Sequence, residues 1–415
     1  MNVPGYYEFC CRVNVLSGHD ALEKIPAVLA GLGAGRPFIV TDRGVAGAGL
    51  LDLVTNAVRG GVEIGAVNDE VPPDSDVKVV NRLAGLFRAS GCDCIVAIGG
   101  GSVMDTAKGV NILVSENSDN LLAFCGANAL KRPLKPFLAI PTTAGTGSEV
   151  TQAAVIKDHE KSLKLAFASY FLLPDAAVLD SRMTLTLPPA LTASTGMDAL
   201  THAMEAYFCL AKNPLSDTHA LAAIDLIGRH LLAVVRNPGD REGRLALANA
   251  ATLAGIAFSN SMVGLVHNLG HATGSACGVP HGACMAMFLP YGLEYNLHKR
   301  EAVIAELLLP LAGPEAYAAT PPAGRAQKVI DLVRQMNQDL HDATGGRHFR
   351  FLKEVVDRDG KPMVPREKLP AIVEAARRDG AVFYNPEEMD ARDMLMILEA
   401  AWEGRPLDRS RIRKG

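Results

Sequence analysis

The pattern of apolar residues changes near Leu187, and this change limits the folds open to the chain. Before it, short apolar runs alternate with amphipathic stretches such as VKVVNRLAGLFRAS (77–90). Short apolar runs separated by amphipathic helices are typical of a parallel sheet with helices on both faces. We predict its strands within RPFIVTD (36–42), GVEIGAV (61–67), CDCIVAIGGGS (92–102) and KPFLAIPTTAGTGSE (135–149).

Strand patterns almost vanish beyond the break at Pro188-Pro189. Long helical patterns follow at 193–211, 215–236, 241–260 and 325–343. GPEAYAATPPAGR (313–325) is predicted to be a loop between helices. A chain of 415 residues is too long for one ordinary core. We therefore predict two domains, an α/β domain at 1–187 and an all-helical domain at 188–415.

Composition excludes several classes of protein. The net charge of −4 argues against a nucleic-acid partner, and the basic RSRIRKG (409–415) is expected to be a solvated tail. We find neither a signal-peptide pattern at the N-terminus nor 18 consecutive uncharged apolar residues that could span a membrane. The eight cysteines form no disulfide framework. These features together predict a soluble, cytoplasmic protein with no membrane partner.

A glycine-rich turn follows the apolar run at 95–98. Glycines allow a close approach of the backbone to a ligand, and the first N–H groups of a helix attract an anion, so this turn suits a pyrophosphate. The turn matches neither the G-x-G-x-x-G fingerprint nor a Walker A motif, and a purely structural turn is an equally good explanation. The candidate cofactor residues here are Gly99, Gly100, Ser102 and Asp105.

A second turn, PTTAGTGSE (141–149), presents the hydroxyl groups of Thr142, Thr143 and Thr146. Asp42 ends the first predicted strand, where an acid can bind the ribose hydroxyls of NAD and repel the 2′-phosphate of NADP. An ordinary loop and a helix cap explain these two features equally well at this stage.

Residues of metal-ligand type recur at helical spacing in the second half. Asp198 and His202 are four residues apart, as are His267 and His271, so each pair shares one helix face. His281 follows Gly278 and Pro280, which end a helix. One carboxylate with three imidazoles suits Fe²⁺ or Zn²⁺. The alternative is that they are separate core or surface histidines.

Four motifs together resemble the iron-containing (group III) alcohol dehydrogenases. GGGSVMDTAK, PTTAGTGSEVT, GMDALTHAMEAY and VHNLGHATG…VPHG match signatures of that family in order and spacing, and the resemblance covers essentially the whole chain. It implies a Rossmann-like domain with a parallel sheet, followed by an all-α metal-binding domain, in the architecture of the dehydroquinate synthases. It also suggests a homodimer or a larger homo-oligomer.

The resemblance implies roles for particular residues. Asp198, His202, His267 and His281 would bind the metal, usually Fe²⁺ and sometimes Zn²⁺. His271 would line the substrate site or relay a proton, and Asp42 would favour NAD. The matched cofactor contacts are Gly99, Gly100, Ser102, Thr142, Thr143, Thr146 and Lys164.

Four positions depart from the family pattern. Pro73 stands where some members have asparagine beside the phosphates, so one phosphate or ribose contact is expected to be lost or replaced. Ala272 stands where proline is common, and Asn268 and Cys277 also differ. Because Asn268, Ala272 and Cys277 are close in sequence to the expected metal ligands, substrate preference does not transfer from the family.

The expected activity is the reversible oxidation of a primary alcohol to an aldehyde. A Lewis-acid metal would stabilise negative charge on the alcohol oxygen, and a hydride would pass to NAD⁺. The alternatives are a zinc-dependent glycerol or diol dehydrogenase of the same fold, a lyase of the dehydroquinate synthase type, and a non-catalytic assembly protein.

Overall fold

The computed structural model describes residues 3–158 and 163–412. Its strands are β1 Asn14–Gly18, β2 Pro37–Val40, β3 Ala66–Asn68, β4 Cys94–Gly99, β5 Gly126–Ala127, β6 Phe137–Pro141, β7 Ala153–Asp158, β8 Leu163–Ala168 and β9 Ala176–Asp180. Its helices are α1 Ile25–Gly31, α2 Arg43–Gly47, α3 Leu50–Val58, α4 Val77–Ala89, α5 Gly101–Ser115, α6 Pro189–Phe208, α7 Pro214–Arg236, α8 Arg241–Ser259, α9 Leu265–Cys277, α10 His281–Glu306, α11 Leu308–Ala319, α12 Arg325–Ala343, α13 Leu369–Ala376 and α14 Ala391–Glu403.

Six strands form the predicted parallel sheet, in the order β1-β9-β6-β4-β2-β3. Each neighbouring pair is parallel. Consecutive residues of β4 enter different cores: Ile95 and Ala97 pack in the core with α4 and α5, whereas Val96 and Ile98 pack in the core with α1 and α3. A strand buried on both faces has to be apolar throughout, which explains the continuous run at 94–98.

Two details of the α/β part differ from the prediction. The strand predicted at 61–67 is confined to Ala66–Asn68, because its partner β2 offers only Phe38–Val40 for pairing. A second sheet, β5-β8-β7, was not predicted, and its β7 and β8 pair antiparallel. Strands β7 and β8 carry charged residues and are half-exposed, so they lack the continuous apolar run that marks the strands of the first sheet.

The prediction of helices beyond residue 188 is confirmed. Between residues 188 and 412, all of which are described, the only strand-like pairing is a single bridge from Val356 to Pro362. By its contacts the chain divides into two compact units. One comprises 10–187 with 239–255, and the other comprises 1–9, 188–238 and 256–415.

The predicted loop at 313–325 is wrong for its first half, because α11 continues to Ala319. Gly313 interrupts that helix with a φ of 84°, and Pro314 begins the next helical stretch, where its missing N–H costs nothing. Of the predicted solvated tail at 409–415 the structure describes 409–412, where Arg409, Ser410 and Arg411 are exposed as expected and Ile412 is not. Leu407 and Ile412 are buried, and the Leu407 N–H donates to Glu294 Oε2 at 3.1 Å.

Among the described residues, α7 is the one helix whose length and mean hydropathy of 1.4 would allow it to cross a membrane. The bent pair of α10 and α11 would qualify only if taken as one broken span. In the structure α7 packs along α6 and carries the buried Asp217, which pairs with Lys212 at 2.5 Å. One face of α7 is thus buried, while its other residues are half-buried or exposed.

Candidate functional site

Four predicted metal ligands converge within the helical unit. Asp198 and His202 lie on one face of α6, His267 lies on α9, and His281 is the first residue of α10. One ligand atom from each lies within 4.8 Å of the others. Asp198 Oδ1 is 3.3 Å from His281 Nε2 and 3.9 Å from His202 Nδ1.

The turn between α9 and α10 brings His281 to this cluster. Gly278 ends α9 with a φ of 72°, and Pro280 precedes the first turn of α10. A β-carbon on Gly282 would lie 2.6 Å from the Ser194 carbonyl oxygen, so only glycine lets α10 begin this close to α6.

The buried polar atoms of the cluster fit a cation. Asp198 Oδ1, His202 Nδ1 and His267 Nε2 are buried without a hydrogen-bond partner. A buried polar atom left unpaired costs about 1–3 kcal/mol, so three facing one another need an explanation. Tetrahedral ligands about 2.1 Å from a zinc ion lie roughly 3.4 Å apart, which is close to the 3.3 Å between Asp198 and His281.

The protonation states also fit a metal. Burial lowers the pKa of His202 to about 3 and holds the pKa of His267 well below its usual range. Both imidazoles are therefore neutral at pH 7 and offer a lone pair, which is the form that binds Fe²⁺ or Zn²⁺.

Sequence reasoning missed Glu205, which supports one of these ligands. It is fully buried one turn beyond His202 on α6. Its Oε2 lies 2.5 Å from His267 Nδ1, and its Oε1 accepts from the Val266 N–H at 2.7 Å. Burial raises the pKa of Glu205 to about 7, so these donors are what favour its charged form. The sequence feature that could have identified Glu205 is its place in THAME (201–205), three residues after the candidate ligand His202.

His271 lies beside the cluster and not within it. Its ring centroid is 5.7 Å from that of His267 and 5.3 Å from that of His281. Its Nδ1 is 2.9 Å from Asp379 Oδ2. Asp379, 108 positions later in the chain, had no signal in the sequence that could connect it to this site.

In the α/β unit, three neighbouring strands end side by side. Val40 of β2 is in register with Ala97 of β4, and Gly99 is in register with Pro141 of β6. The residues that follow these strands are therefore brought to one edge of the sheet, where ligands bind in open α/β folds. Six of the predicted cofactor residues lie there: Gly99, Gly100, Ser102, Thr142, Thr143 and Thr146.

The two predicted turns touch one another at this edge. A β-carbon on Gly100 would lie 3.3 Å from Thr143 Oγ1. Gly100 also precedes α5 without a side-chain cap, so no side chain occupies the first-turn N–H groups. Such a helix start suits a phosphate.

Of the other three predicted cofactor residues, Asp42 and Asp105 have hydrogen-bond partners within the protein. Asp42 caps α2 by accepting from the Val45 N–H at 2.9 Å, and Lys164 is exposed on β8 opposite Lys157. Asp105 accepts from Ser148 Oγ at 3.3 Å and from the Val155 N–H at 3.0 Å. Their roles toward a cofactor stay predictions.

Lys108, one turn beyond Asp105, anchors the second turn. Its ammonium is buried and lies within 3.2 Å of oxygens of Ser148, Thr151 and Ala153. Burial lowers its pKa to about 8, although Asp105 and Glu149 oppose that shift. Lys108 thus links α5 to the chain that follows β6.

Comparison with known proteins establishes the family. The model described as "Iron-containing alcohol dehydrogenase" matches residues 13–181, and the model described as "Fe-containing alcohol dehydrogenase family, C-terminal" matches residues 192–402. The chain belongs to the iron-containing alcohol dehydrogenase family. This membership confirms the predicted fold class and places the chain among the metal-dependent oxidoreductases that act on alcohols.

Individual relatives of this iron-containing alcohol dehydrogenase cover nearly all of it. It is 34% identical to the 1,3-propanediol dehydrogenase of Klebsiella pneumoniae, over 93% of this chain and 96% of that one. It is 32% identical to the NAD-dependent methanol dehydrogenase of Bacillus methanolicus, over 92% and 97%. A crystal structure of 1,3-propanediol oxidoreductase superimposes with a TM-score of 0.88 at 31% identity, covering 96% of this chain and all of that one.

The departures from the family pattern have different environments in this iron-containing alcohol dehydrogenase. Pro73 is exposed, next to Asp74, whose N–H donates to Ser102 Oγ at 3.2 Å. Ala272 is buried and Cys277 is half-buried on α9. Asn268 is fully buried, and its amide donates to the carbonyls of Ala376 and Asp379 at 2.8 and 3.2 Å.

Proposed function

We propose that this protein is an NAD-dependent alcohol dehydrogenase that interconverts a primary alcohol and its aldehyde. The observation that carries the proposal is the cluster of Asp198, His202, His267 and His281, in which one buried atom of each of the first three residues lacks a hydrogen-bond partner. These four residues would hold Fe²⁺, or Zn²⁺ where zinc is the more available ion.

The cofactor would bind at the ends of β2, β4 and β6. The free start of α5 suits the pyrophosphate, and the hydroxyls of Thr142, Thr143 and Thr146 suit polar parts of the dinucleotide. Gly99, Gly100 and Ser102 would allow its close approach, and Asp42 would favour NAD over NADP. Lys164 and Asp105 are the remaining candidates, and we infer a direct contact for Lys164 because it is exposed.

Each part of the chain has a distinct task in the reaction. Bound metal would polarise the alcohol oxygen, and bound NAD⁺ would accept the hydride. His271 would receive the hydroxyl proton and pass it to water, because its side chain is 34% exposed whereas that of His267 is 4% exposed. Glu205 would hold His267 in place through its Nδ1.

A second candidate activity is the oxidation of a polyol such as glycerol or a diol. It is supported by the relative from Klebsiella pneumoniae, which is named for 1,3-propanediol. Both activities need the same metal and cofactor residues, so only the substrate separates them.

We further propose that residues 1–187 bind the dinucleotide and residues 188–415 bind the metal. All eight cysteines are free thiols, which supports a reducing, cytoplasmic location. The membership of the family supports a homodimer or larger homo-oligomer.

The deciding experiment loads metal-free protein with Fe²⁺ under anaerobic conditions and follows NADH at 340 nm. The panel contains linear primary alcohols of two to six carbons, diols and glycerol. Turnover on simple primary alcohols that chelator abolishes is the expected result. Turnover confined to glycerol and diols would support the second candidate, and bound metal without any turnover would contradict both.

A variant tests the ligand set. His202→Ala should lose the metal and nearly all activity, since it removes one of four ligands. His219→Ala is the matched control, because His219 is half-buried on α7 and bonds only to the Leu215 carbonyl among its described contacts, apart from stacking on Phe9. Retention of metal and activity in His202→Ala would show that the site is wrong.

A further inference from the structure

The two histidines of α9 each have a carboxylate partner at the same ring atom. Glu205 faces Nδ1 of His267, and Asp379 faces Nδ1 of His271. His267 belongs to the ligand cluster, whereas His271 does not. The role of the second carboxylate is therefore separate from metal binding.

The contact between Asp379 and His271 determines which ring nitrogen carries the proton. An ionised carboxylate can only accept, so Nδ1 of His271 donates across the 2.9 Å contact. Burial works against a charge on Asp379, but the hydrogen bonds that it accepts from His271 and from the Ala381 N–H lower its pKa overall. In the neutral imidazole with its proton on Nδ1, Nε2 of His271 keeps its lone pair.

Asp379 is itself held from two directions. Its Oδ1 accepts from the Ala381 N–H at 2.9 Å, which caps the short turn at 380–384. Its carbonyl oxygen accepts from Asn268 Nδ2, which also donates to the Ala376 carbonyl. Asn268 is fully buried on α9, three residues before His271.

These contacts form a closed circuit. α9 carries Asn268, Asn268 holds the chain that ends α13, that chain presents Asp379, and Asp379 returns to His271 on α9. The helices α9 and α13 also pack directly on one another. Because Asp379 and His271 are both held by these contacts, the hydrogen bond between them keeps the imidazole in one orientation, as precise catalysis requires.

We propose that Asp379 is a positioning residue that fixes the orientation and tautomer of His271, and that Asn268 holds Asp379 in place for this task. The proposal rests on the proposed function, in which Nε2 of His271 takes up the hydroxyl proton of the alcohol. It also gives Asn268, one of the departures from the family pattern, a specific role.

The test is a cycle of variants, Asp379→Asn, His271→Gln and the double variant, assayed as metal-loaded enzyme. In Asp379→Asn the new amide can donate to Nδ1 and favour the other tautomer, so kcat should fall about 100-fold while KM and metal content stay within about twofold. The double variant should lose no more than His271→Gln, because residues that act as a unit are not additive. Asn268→Ala should lower kcat by less than Asp379→Asn does.

Asp357→Asn removes a carboxylate whose described hydrogen bonds go only to the N–H groups of Asp359 and Lys361, and kcat should be unchanged. A wild-type kcat in Asp379→Asn, or losses that multiply in the double variant, would overturn the proposal. Loss of metal in Asp379→Asn would also overturn it, because it would show a structural role at the ligand cluster.

A second readout does not depend on turnover. In zinc-loaded protein labelled with ¹⁵N-histidine, the His271 signal is identified by its absence in His271→Gln. It should show a protonated Nδ1 in the wild type and a shift toward a protonated Nε2 in Asp379→Asn. If the wild type turns over no alcohol, the proposed function fails and this spectrum alone decides the role of Asp379. An unchanged spectrum in Asp379→Asn would contradict that role.

Discussion

Glu205 Oε2 lies 2.5 Å from Nδ1 of His267, and the other ring nitrogen of His267 is buried with no hydrogen-bond partner. A carboxylate on one imidazole nitrogen directs the lone pair of the other one, which here belongs to the ligand cluster. This pair connects two helices, α6 and α9, that each contribute to the cluster.

We expect Glu205→Gln to weaken metal binding about 10- to 100-fold, because the amide no longer secures the proton on Nδ1. The measurement is a competition between the protein and a chromophoric chelator for Zn²⁺. Asp379→Asn is the matched control, since it alters the other histidine–carboxylate pair of α9 and should leave the affinity unchanged. Equal affinities in Glu205→Gln and the wild type would refute the support role.

Asp42→Ser should reduce the preference for NAD over NADP. Serine can still cap α2, so the change removes the charge that would repel a 2′-phosphate while the cap is retained. A repulsion of about 1.4 kcal/mol corresponds to a tenfold change, so the ratio of kcat/KM values should fall about tenfold. Asp76→Ser, which changes the cap of α4, is the control. A constant ratio in Asp42→Ser would exclude Asp42 from cofactor choice.

Lys108→Met should destabilise the α/β unit and raise the KM for NAD. It leaves buried oxygens of Ser148, Thr151 and Ala153 without their donor, and breaking such an interaction costs about 3 kcal/mol or more. Thermal unfolding and a titration of initial rates with NAD measure the two effects. Lys131→Met is the control, because Lys131 is exposed and bonds to the Asn128 carbonyl. An unchanged KM would show that Lys108 serves stability alone.

His348 should make the protein sensitive to mild acid. Burial lowers its pKa to about 4, from 6.5, and its Nε2 donates to Asn337 Oδ1 at 2.9 Å. At pH values between about 4 and 6.5, the His348 side chain binds a proton in the unfolded chain but not in the folded one. The free energy of unfolding therefore falls as the pH falls. The loss approaches about 1.4 kcal/mol for each pH unit across that window.

The measurement compares urea unfolding of the wild type and His348→Gln at pH 6.5 and pH 5. The variant should lose about 2 kcal/mol less than the wild type over this interval, since glutamine does not titrate. His219→Gln, which changes a half-buried histidine of α7, should behave like the wild type. If His348→Gln shows the full acid dependence, other groups are responsible for it.

The sheet shows why some elements were predictable. Strands β4 and β6 are buried on both faces and therefore carry uninterrupted apolar runs, which mark them in the sequence. The antiparallel pair of β7 and β8 carries Lys157 and Lys164 opposite one another, so its pattern resembles a surface loop. Pro314 suggested a loop as well, although it begins a helical stretch after Gly313.

The sequence by itself predicted the order of the two folding patterns and the four candidate metal ligands, because Asp198, His202, His267 and His281 are marked by local helical spacing and by family motifs. Only the tertiary structure revealed Glu205 as the partner of His267, Asp379 as the partner of His271 and Lys108 as the anchor of the turn after β6. Hydrogen bonds between residues distant in the chain leave no periodic trace: 62 positions separate Glu205 from His267 and 108 separate His271 from Asp379. Such partners are selected by where the helices pack, which local residue patterns do not record.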